Sequence, residues 1–145
     1  RALNSLRLEK GFGSWATEVR PIYGPFEADM GRFIDLGKND FIGRDAALKE
    51  KDEGPAKLRV TFDIDDDGVD VMGNEPVWHN DEVVGWVTSG GYAHFVDKSL
   101  ALAYIPKELA AESNGGFEIE VLGVRRAAKL ALEPPLDPQA TRMRS

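Results

Sequence analysis

Between Lys57 and Ile64 the segment KLRVTFDI alternates with a period of two, with Leu58, Val60, Phe62 and Ile64 on one side and Arg59, Thr61 and Asp63 on the other. That spacing marks a half-buried strand. Further runs of strand character follow at EPVWH, EVVGWVTSGGY, SLALAYI, FEIEVLG and VRRAAKLAL, divided from one another by Gly, Asn or Asp. Asn80 and Asp81 sit at the turn of the clearest hairpin, HNDEVVG. Five to six short strands so spaced predict a small antiparallel barrel or sandwich. Its expected core is Leu58, Val60, Phe62, Val84, Trp86, Val87, Leu100, Leu102, Tyr104, Ile119 and Val121, at inward period-2 positions or in near-continuous apolar strands.

Ahead of this region the pattern is mixed. In RALNSLRLEKG, Ala2, Leu3, Leu6 and Leu8 roughly keep helical spacing, and Gly11 stands where a left-handed cap would end the helix near Lys10. Residues 12–25 combine Gly13, Pro21, Gly24 and Pro25 with Phe12, Trp15 and Tyr23. Bulky rings in such a stretch predict a packed loop, not a free linker. FEADMGRFIDLGKNDFIG then predicts a short helix or turn around Glu27 to Met30, an extended RFIDL, and a turn from Gly37 to Asp40. RDAALKEKDEG predicts a charged helix ending at Gly54. The expected fold class is α+β, mainly β: short N-terminal helical segments followed by a small antiparallel β-barrel of about six strands.

A chain of 145 residues can bury one core and carry an appendage. Its formal charge of −7, with no broad basic face, argues against nucleic acid as a partner, because phosphate-backbone binding relies on clustered Lys and Arg. The lack of cysteine removes disulfides, thiolate metal sites and cysteine nucleophiles, and fits a reducing compartment. No apolar run has the length of a membrane span, and RALNSLRLEKG lacks the apolar core of a signal peptide, so no membrane partner is expected. The cytoplasm is the expected location, with the mitochondrial matrix as the alternative. The first residue is not Met and the opening reads as the middle of a helix; a piece of a longer protein is expected.

Self-contained chemistry is sparse. FDIDDDGVDVMGNE, residues 62–75, sets Asp63, Asp65, Asp67 and Gly68 at the spacing of an EF-hand calcium loop. The twelfth position of such a loop needs a bidentate Glu, and here it is Asn74, with Glu75 one residue late and Asp70 at the apolar eighth position. A strand precedes Asp63 where a helix belongs, so an acidic surface turn is expected. Ser89, His94 and Asp97 fall within nine residues on one segment without a Gly-x-Ser-x-Gly elbow, and Gly90 and Gly91 read there as relief for unusual backbone angles. His79 precedes a hairpin turn, where a polar residue is ordinary. Asp65, Asp66, Asp67, Glu118 and Glu120 lie on faces expected to be solvated. With no His-x-x-x-His spacing and no phosphate loop, neither a metal site nor a catalytic residue is expected.

Several segments together resemble one family. RLEKGFGSW at 7–15, PFEADMGRFIDL at 25–36 and DFIGRDAAL at 40–48 resemble the end of the folate-binding module of the aminomethyltransferases, typified by the glycine cleavage T-protein. VVGWVTSGGYAHFVDKSLALAYIP at 83–106 resembles that family's C-terminal β-barrel. The segments keep the family's order over nearly the whole chain, and VGxVTSGxY followed by SLALAYI is fairly specific. ALNSLRLEKGFGSW is similar to the version in dimethylglycine and sarcosine dehydrogenases, where the module follows an FAD-dependent amine oxidase.

The resemblance implies that residues 1–54 end the folate-binding module and that 55–145 form the barrel domain. It implies tetrahydrofolate-dependent one-carbon transfer, in which an N-methyl amine is oxidised to an iminium and the carbon is captured as 5,10-methylenetetrahydrofolate. Tetrahydrofolate would be the cofactor of the module and FAD that of an upstream part; folate and a small N-methylated amine would be the partners. The larger part of the pteridine pocket is not in this sequence, so the segment alone is not expected to turn over. Phe12 falls where the family has an aromatic residue near the folate, with a core anchor as the alternative, and Trp15 is a weaker candidate for the same duty. Arg142 and Arg144 in TRMRS resemble a basic tail that approaches the folate glutamate, with a solvated tail as the alternative. Leu3 stands where T-proteins carry an arginine at the folate cavity, which favours the dehydrogenase branch. Arg7 and Glu9, two positions apart on a helix, are expected to point apart as struts. A T-protein-type aminomethyltransferase and a non-catalytic folate-binding or interaction domain remain as alternatives.

Overall fold

The computed structural model describes residues 2–65, 68–111 and 115–144. The alternating segments fold as β1 (Lys57–Ile64), β2 (Pro76–His79), β3 (Glu82–Ala93), β4 (Lys98–Pro106), β5 (Phe117–Val121) and β6 (Val124–Ala131). They close into an antiparallel barrel in the order β1-β4-β3-β2-β5-β6, with β6 returning to pair with β1. Asn80 and Asp81 both adopt left-handed backbone, at φ 50° and 63°, as the two-residue hairpin between β2 and β3 requires. Leu122 and Gly123 repeat the device between β5 and β6, at φ 52° and 77°.

Phe62, Val77, Val87, Ile105, Phe117 and Ile119 fill the barrel interior, and the Phe62 and Phe117 rings meet at 5.2 Å. β4 is buried on both faces. Ala101, Ala103 and Ile105 face the interior, while Leu100 and Leu102 pack outward with Leu8 of α1 (Ala2–Glu9). Leu100, Leu102 and Tyr104 are therefore buried as expected, under a layer that lies outside the barrel. Trp86 departs from the expectation: it is half-buried on the outer face, with Lys57 Nζ 4.6 Å from its ring and the Tyr23 ring 6.4 Å away. Leu58, Val60 and Val84 are likewise only partly buried.

That outer layer is the N-terminal part of the chain. α1 ends as its sequence demands: Gly11, at φ 64°, donates its N–H to the Leu8 carbonyl at 3.0 Å, and Phe12 donates to the Arg7 carbonyl at 2.8 Å. Tyr23 stacks on Tyr104 at 3.7 Å and 12°. From β1 the Arg59 guanidinium reaches up to the carbonyls of Gly11 at 2.7 Å and Ala28 at 3.2 Å and to the Asp29 carboxylate at 3.3 Å. The turn that follows is closed by Met30 N–H to the Pro25 carbonyl at 2.8 Å. Its free amides, Phe26 and Glu27, are each bound at 3.0 Å by Glu50 of α2 (Arg44–Glu53), the expected charged helix.

RFIDL is extended only in part: Ile34 keeps extended backbone, at φ −109° and ψ 110°, but the segment forms no strand. Arg32 and Phe33 lie in a 3-10 turn, Gly31–Phe33, with Phe33 N–H on the Met30 carbonyl at 3.0 Å. A strand, unlike a single extended residue, needs a ladder partner, and the closed sheet offers this segment none. A short helix not anticipated from the pattern, α3 (Lys107–Ala111), follows β4.

Candidate functional site

Three pieces of chain meet at one carboxylate. Glu18, within the aromatic loop, is fully buried. Its Oε2 accepts the Ser14 N–H and the Thr17 hydroxyl, both at 2.7 Å, and Arg7 of α1 reaches it at 3.3 Å. Its Oε1 accepts the Ser89 hydroxyl of β3 at 2.5 Å, and Tyr104 of β4 donates its phenol to the Glu18 main-chain carbonyl at 2.8 Å. A β-bulge between Val87 and Ser89 makes the serine contact possible. Val87 points into the barrel, and strict alternation would send Ser89 inward as well; the extra residue turns it outward beside Leu102. Burial pushes the Glu18 carboxyl up, but hydrogen bonds from Ser89, Thr88, Ser14 and Thr17 outweigh it and hold the group below the ordinary glutamate value. Periodicity gave no sign of this burial. The signal present was local: an acid among rings, with Ser14 and Thr17 just before it.

A second set of contacts joins the loop to the C-terminus. Lys10 Nζ lies 6.0 Å from the Phe12 ring centroid and donates to the Asp137 main-chain carbonyl at 2.5 Å and to its carboxylate at 3.3 Å. Asp137 caps the final 3-10 turn, Thr141–Met143, accepting the Thr141 N–H and hydroxyl at 2.8 Å and the Arg142 N–H at 3.3 Å. The Thr141 bonds foremost keep its carboxyl below the usual aspartate range. The Arg142 guanidinium lies 5.6 Å from the Phe95 ring, and the Phe95 N–H is fixed by Glu9 Oε1 at 2.7 Å. Phe12 and Arg142 are thus linked through Lys10 and Asp137.

This places the expected residues unequally. Phe12, 42% exposed, keeps an open ring beside an ammonium group. Trp15, 80% exposed, takes no part in that chain of contacts. Arg144 donates its main-chain N–H to the Thr141 carbonyl at 3.2 Å. Arg7 and Glu9 diverge as their spacing demands, one toward Glu18 and the other toward Phe95. Lys10 and Phe95, which complete the arrangement, were not singled out by the sequence pattern. Open rings with cations beside them suit a flat ligand that carries a carboxylate.

Other candidate chemistry is not assembled. Ser89 is bonded to Glu18, Asp97 accepts the Tyr92 phenol, and the His94 N–H donates to Ser5 Oγ at 3.1 Å. In the acidic stretch Asp63 pairs with Lys98, and Glu75 caps its own turn through the N–H groups of Met72 at 2.8 Å and Gly73 at 2.7 Å. Asp66 and Asp67 lie outside the described residues. Among the described residues no group of His, Cys, Asp or Glu is placed to hold a metal ion, and no helix is long and apolar enough to cross a membrane.

A closed six-stranded antiparallel barrel, roofed on one outer face by its own N-terminal segment, defines the structural class. The profile of the glycine cleavage T-protein C-terminal barrel domain matches residues 57–137, and the chain belongs to that family. Mitochondrial dimethylglycine dehydrogenase of Mus musculus is 42% identical over 134 residues, which is 92% of this chain and 15% of that protein. Mitochondrial sarcosine dehydrogenase of Mus musculus is 32% identical over 99% of this chain and 16% of its own length. An aminomethyltransferase of Prochlorococcus marinus is 37% identical over 92% of this chain and 36% of that protein. The crystal structure of glycine cleavage system aminomethyltransferase T from Bartonella henselae has the same fold, with a TM-score of 0.84 and 24% identity over 93% of this chain and 38% of that one. The chain spans well under half the length of each of these relatives.

Proposed function

We propose that this chain is the C-terminal part of a tetrahydrofolate-dependent demethylating enzyme of the dimethylglycine or sarcosine dehydrogenase kind. The observation that carries the reading is 42% identity to a dimethylglycine dehydrogenase across 92% of the chain. On this reading residues 1–54 end the folate-binding module and 55–145 form the barrel domain. An FAD-dependent part of the parent chain oxidises a small N-methylated amine. Tetrahydrofolate, held in part by Phe12 and Arg142, would supply the acceptor for the one-carbon unit, to give 5,10-methylenetetrahydrofolate. The arrangement at the end of α1 supports this reading through Phe12, which offers a ring face, and Arg142, which offers a fork for a carboxylate, while Trp15 and Arg144 are further candidates outside that chain of contacts. The mitochondrial names of the relatives favour the matrix over the cytoplasm.

A T-protein-type aminomethyltransferase is the second reading, supported by the 37% identity to the Prochlorococcus protein. Leu3, where T-proteins carry arginine, weighs against it. The test is tetrahydrofolate titration of the native polypeptide with its intact mass and visible spectrum. A long, flavin-coloured chain whose folate affinity falls about tenfold in Phe12→Ala, in line with the loss of ring stacking, supports the proposal. A colourless chain active with a lipoylated carrier moves the assignment to the second reading. Unchanged affinity with lowered stability makes Phe12 a packing residue.

A further inference from the structure

The aromatic loop is long and carries few buried apolar residues of its own, so something else must fix its shape. Between Phe12 and Tyr23 the one fully buried side chain is Glu18. It is an unusual choice for an anchor. A carboxylate is taken out of water there, and the cost of doing so is met only if its lone pairs are filled. They are filled, and by donors of separate origin: the loop's own Ser14 N–H and Thr17 hydroxyl, Arg7 from α1, and Ser89 from β3. The Tyr104 phenol from β4 holds the main-chain carbonyl of the same residue. Ser14 N–H and Arg7 can only donate, so this position demands an acceptor facing them. Ser89 is available only because the sheet departs from regular alternation beside it.

We propose that Glu18 is a positioning residue: its buried carboxylate latches the Phe12–Tyr23 loop to α1 and to the barrel, and so sets the rings of Phe12 and Trp15 for ligand contact without itself touching the ligand. The latch rests on the geometry alone, while its consequence for ligand contact rests on the folate reading above. Arg7 on α1, Arg59 on β1, Tyr23 in the loop itself and Tyr104 on β4 are the ionisable groups around the latch. Removing the carboxylate leaves Arg7 and the Ser14 amide without their acceptor, and the loop then exchanges partners with water while the barrel, whose interior is untouched, stays folded.

Two readouts separate the latch from its consequence. The first is hydrogen exchange of residues 12–24 in the ligand-free protein, set against exchange in β1, β3 and β4. Glu18→Ala is expected to speed exchange in the loop on the order of tenfold or more, with the strands unchanged. Glu18→Gln is expected to restore most of the protection, because its carbonyl can face Ser14 and Arg7 while the Ser89 hydroxyl turns to accept from the amide. Ser89→Ala, which removes one donor and leaves the carboxylate in place, gives a smaller effect of the same sign and serves if Glu18→Ala does not fold. Equal exchange in all four proteins, or faster exchange spread evenly over loop and strands, overturns the latch.

The second readout is tetrahydrofolate affinity of the native polypeptide. Weaker binding in Glu18→Ala, recovered in Glu18→Gln, supports positioning. A loosened loop with unchanged affinity in a protein that does bind folate overturns the positioning role while the latch stands. A wild-type protein that binds no folate removes the folate reading and, with it, this consequence, and the exchange result still decides the latch.

Discussion

Tyr104 shows how much one side chain can carry. Its ring lies under Tyr23, its hydroxyl holds the main chain of Glu18, and burial pushes its ionisation well above the ordinary phenol value. Tyr23 is raised as well, again by burial first. Both phenols are protonated in the folded and unfolded chain below about pH 10, so their contribution is complete there. Above about pH 10 the unfolded chain ionises first, and stability falls as pH rises toward the higher folded values. Urea midpoints measured from pH 9 to 11 should decline, and less steeply in Tyr104→Phe; parallel curves would remove the phenol from the account. Residue chemistry of this kind was only partly legible in the sequence. Tyr104 was expected in the core from its strand, but which neighbour buries it was not, because alternation reports two faces and is silent on what covers each. Glu18 was hidden for the opposite reason: its burial depends on donors from α1 and β3, far away in sequence.

Among the elements, the strands and their hairpins were the most readable, since period-2 spacing and the Asn80–Asp81 pair are enforced by local geometry. The end of α1 at Gly11 was readable on the same ground. The extended reading of RFIDL held only at Ile34, because a strand is a property of a pair and the sheet had no partner to give. β3 carries the sharpest test at this scale. A Cβ on Gly85 would overlap the Tyr104 carbonyl of β4, a backbone atom that cannot swing aside. Gly85→Ala should therefore cost upwards of about 3 kcal/mol in denaturant unfolding, the high end of overpacking. A cost below about 1 kcal/mol would mean that β3 and β4 can part locally without harm.

For the molecule as a whole, the two-sided burial of β4 makes barrel and N-terminal layer interdependent. Leu100, Leu102 and Tyr104 have the layer as their cover. A chain that begins at residue 55 would bare them as one apolar strip, and should bind the dye ANS and self-associate in sedimentation runs. A monomeric, dye-silent product would show that the roof is dispensable. The closure of the barrel limits the molecule in another way. Among the described residues every strand has two neighbours, so the sheet has no edge strand to copy itself onto a second polypeptide. That closure disfavours recruitment by an added strand. On the roof Leu3, Leu6, Trp15, Ile22 and Phe33 are exposed, so what that face presents to its surroundings is side chains instead of ladders.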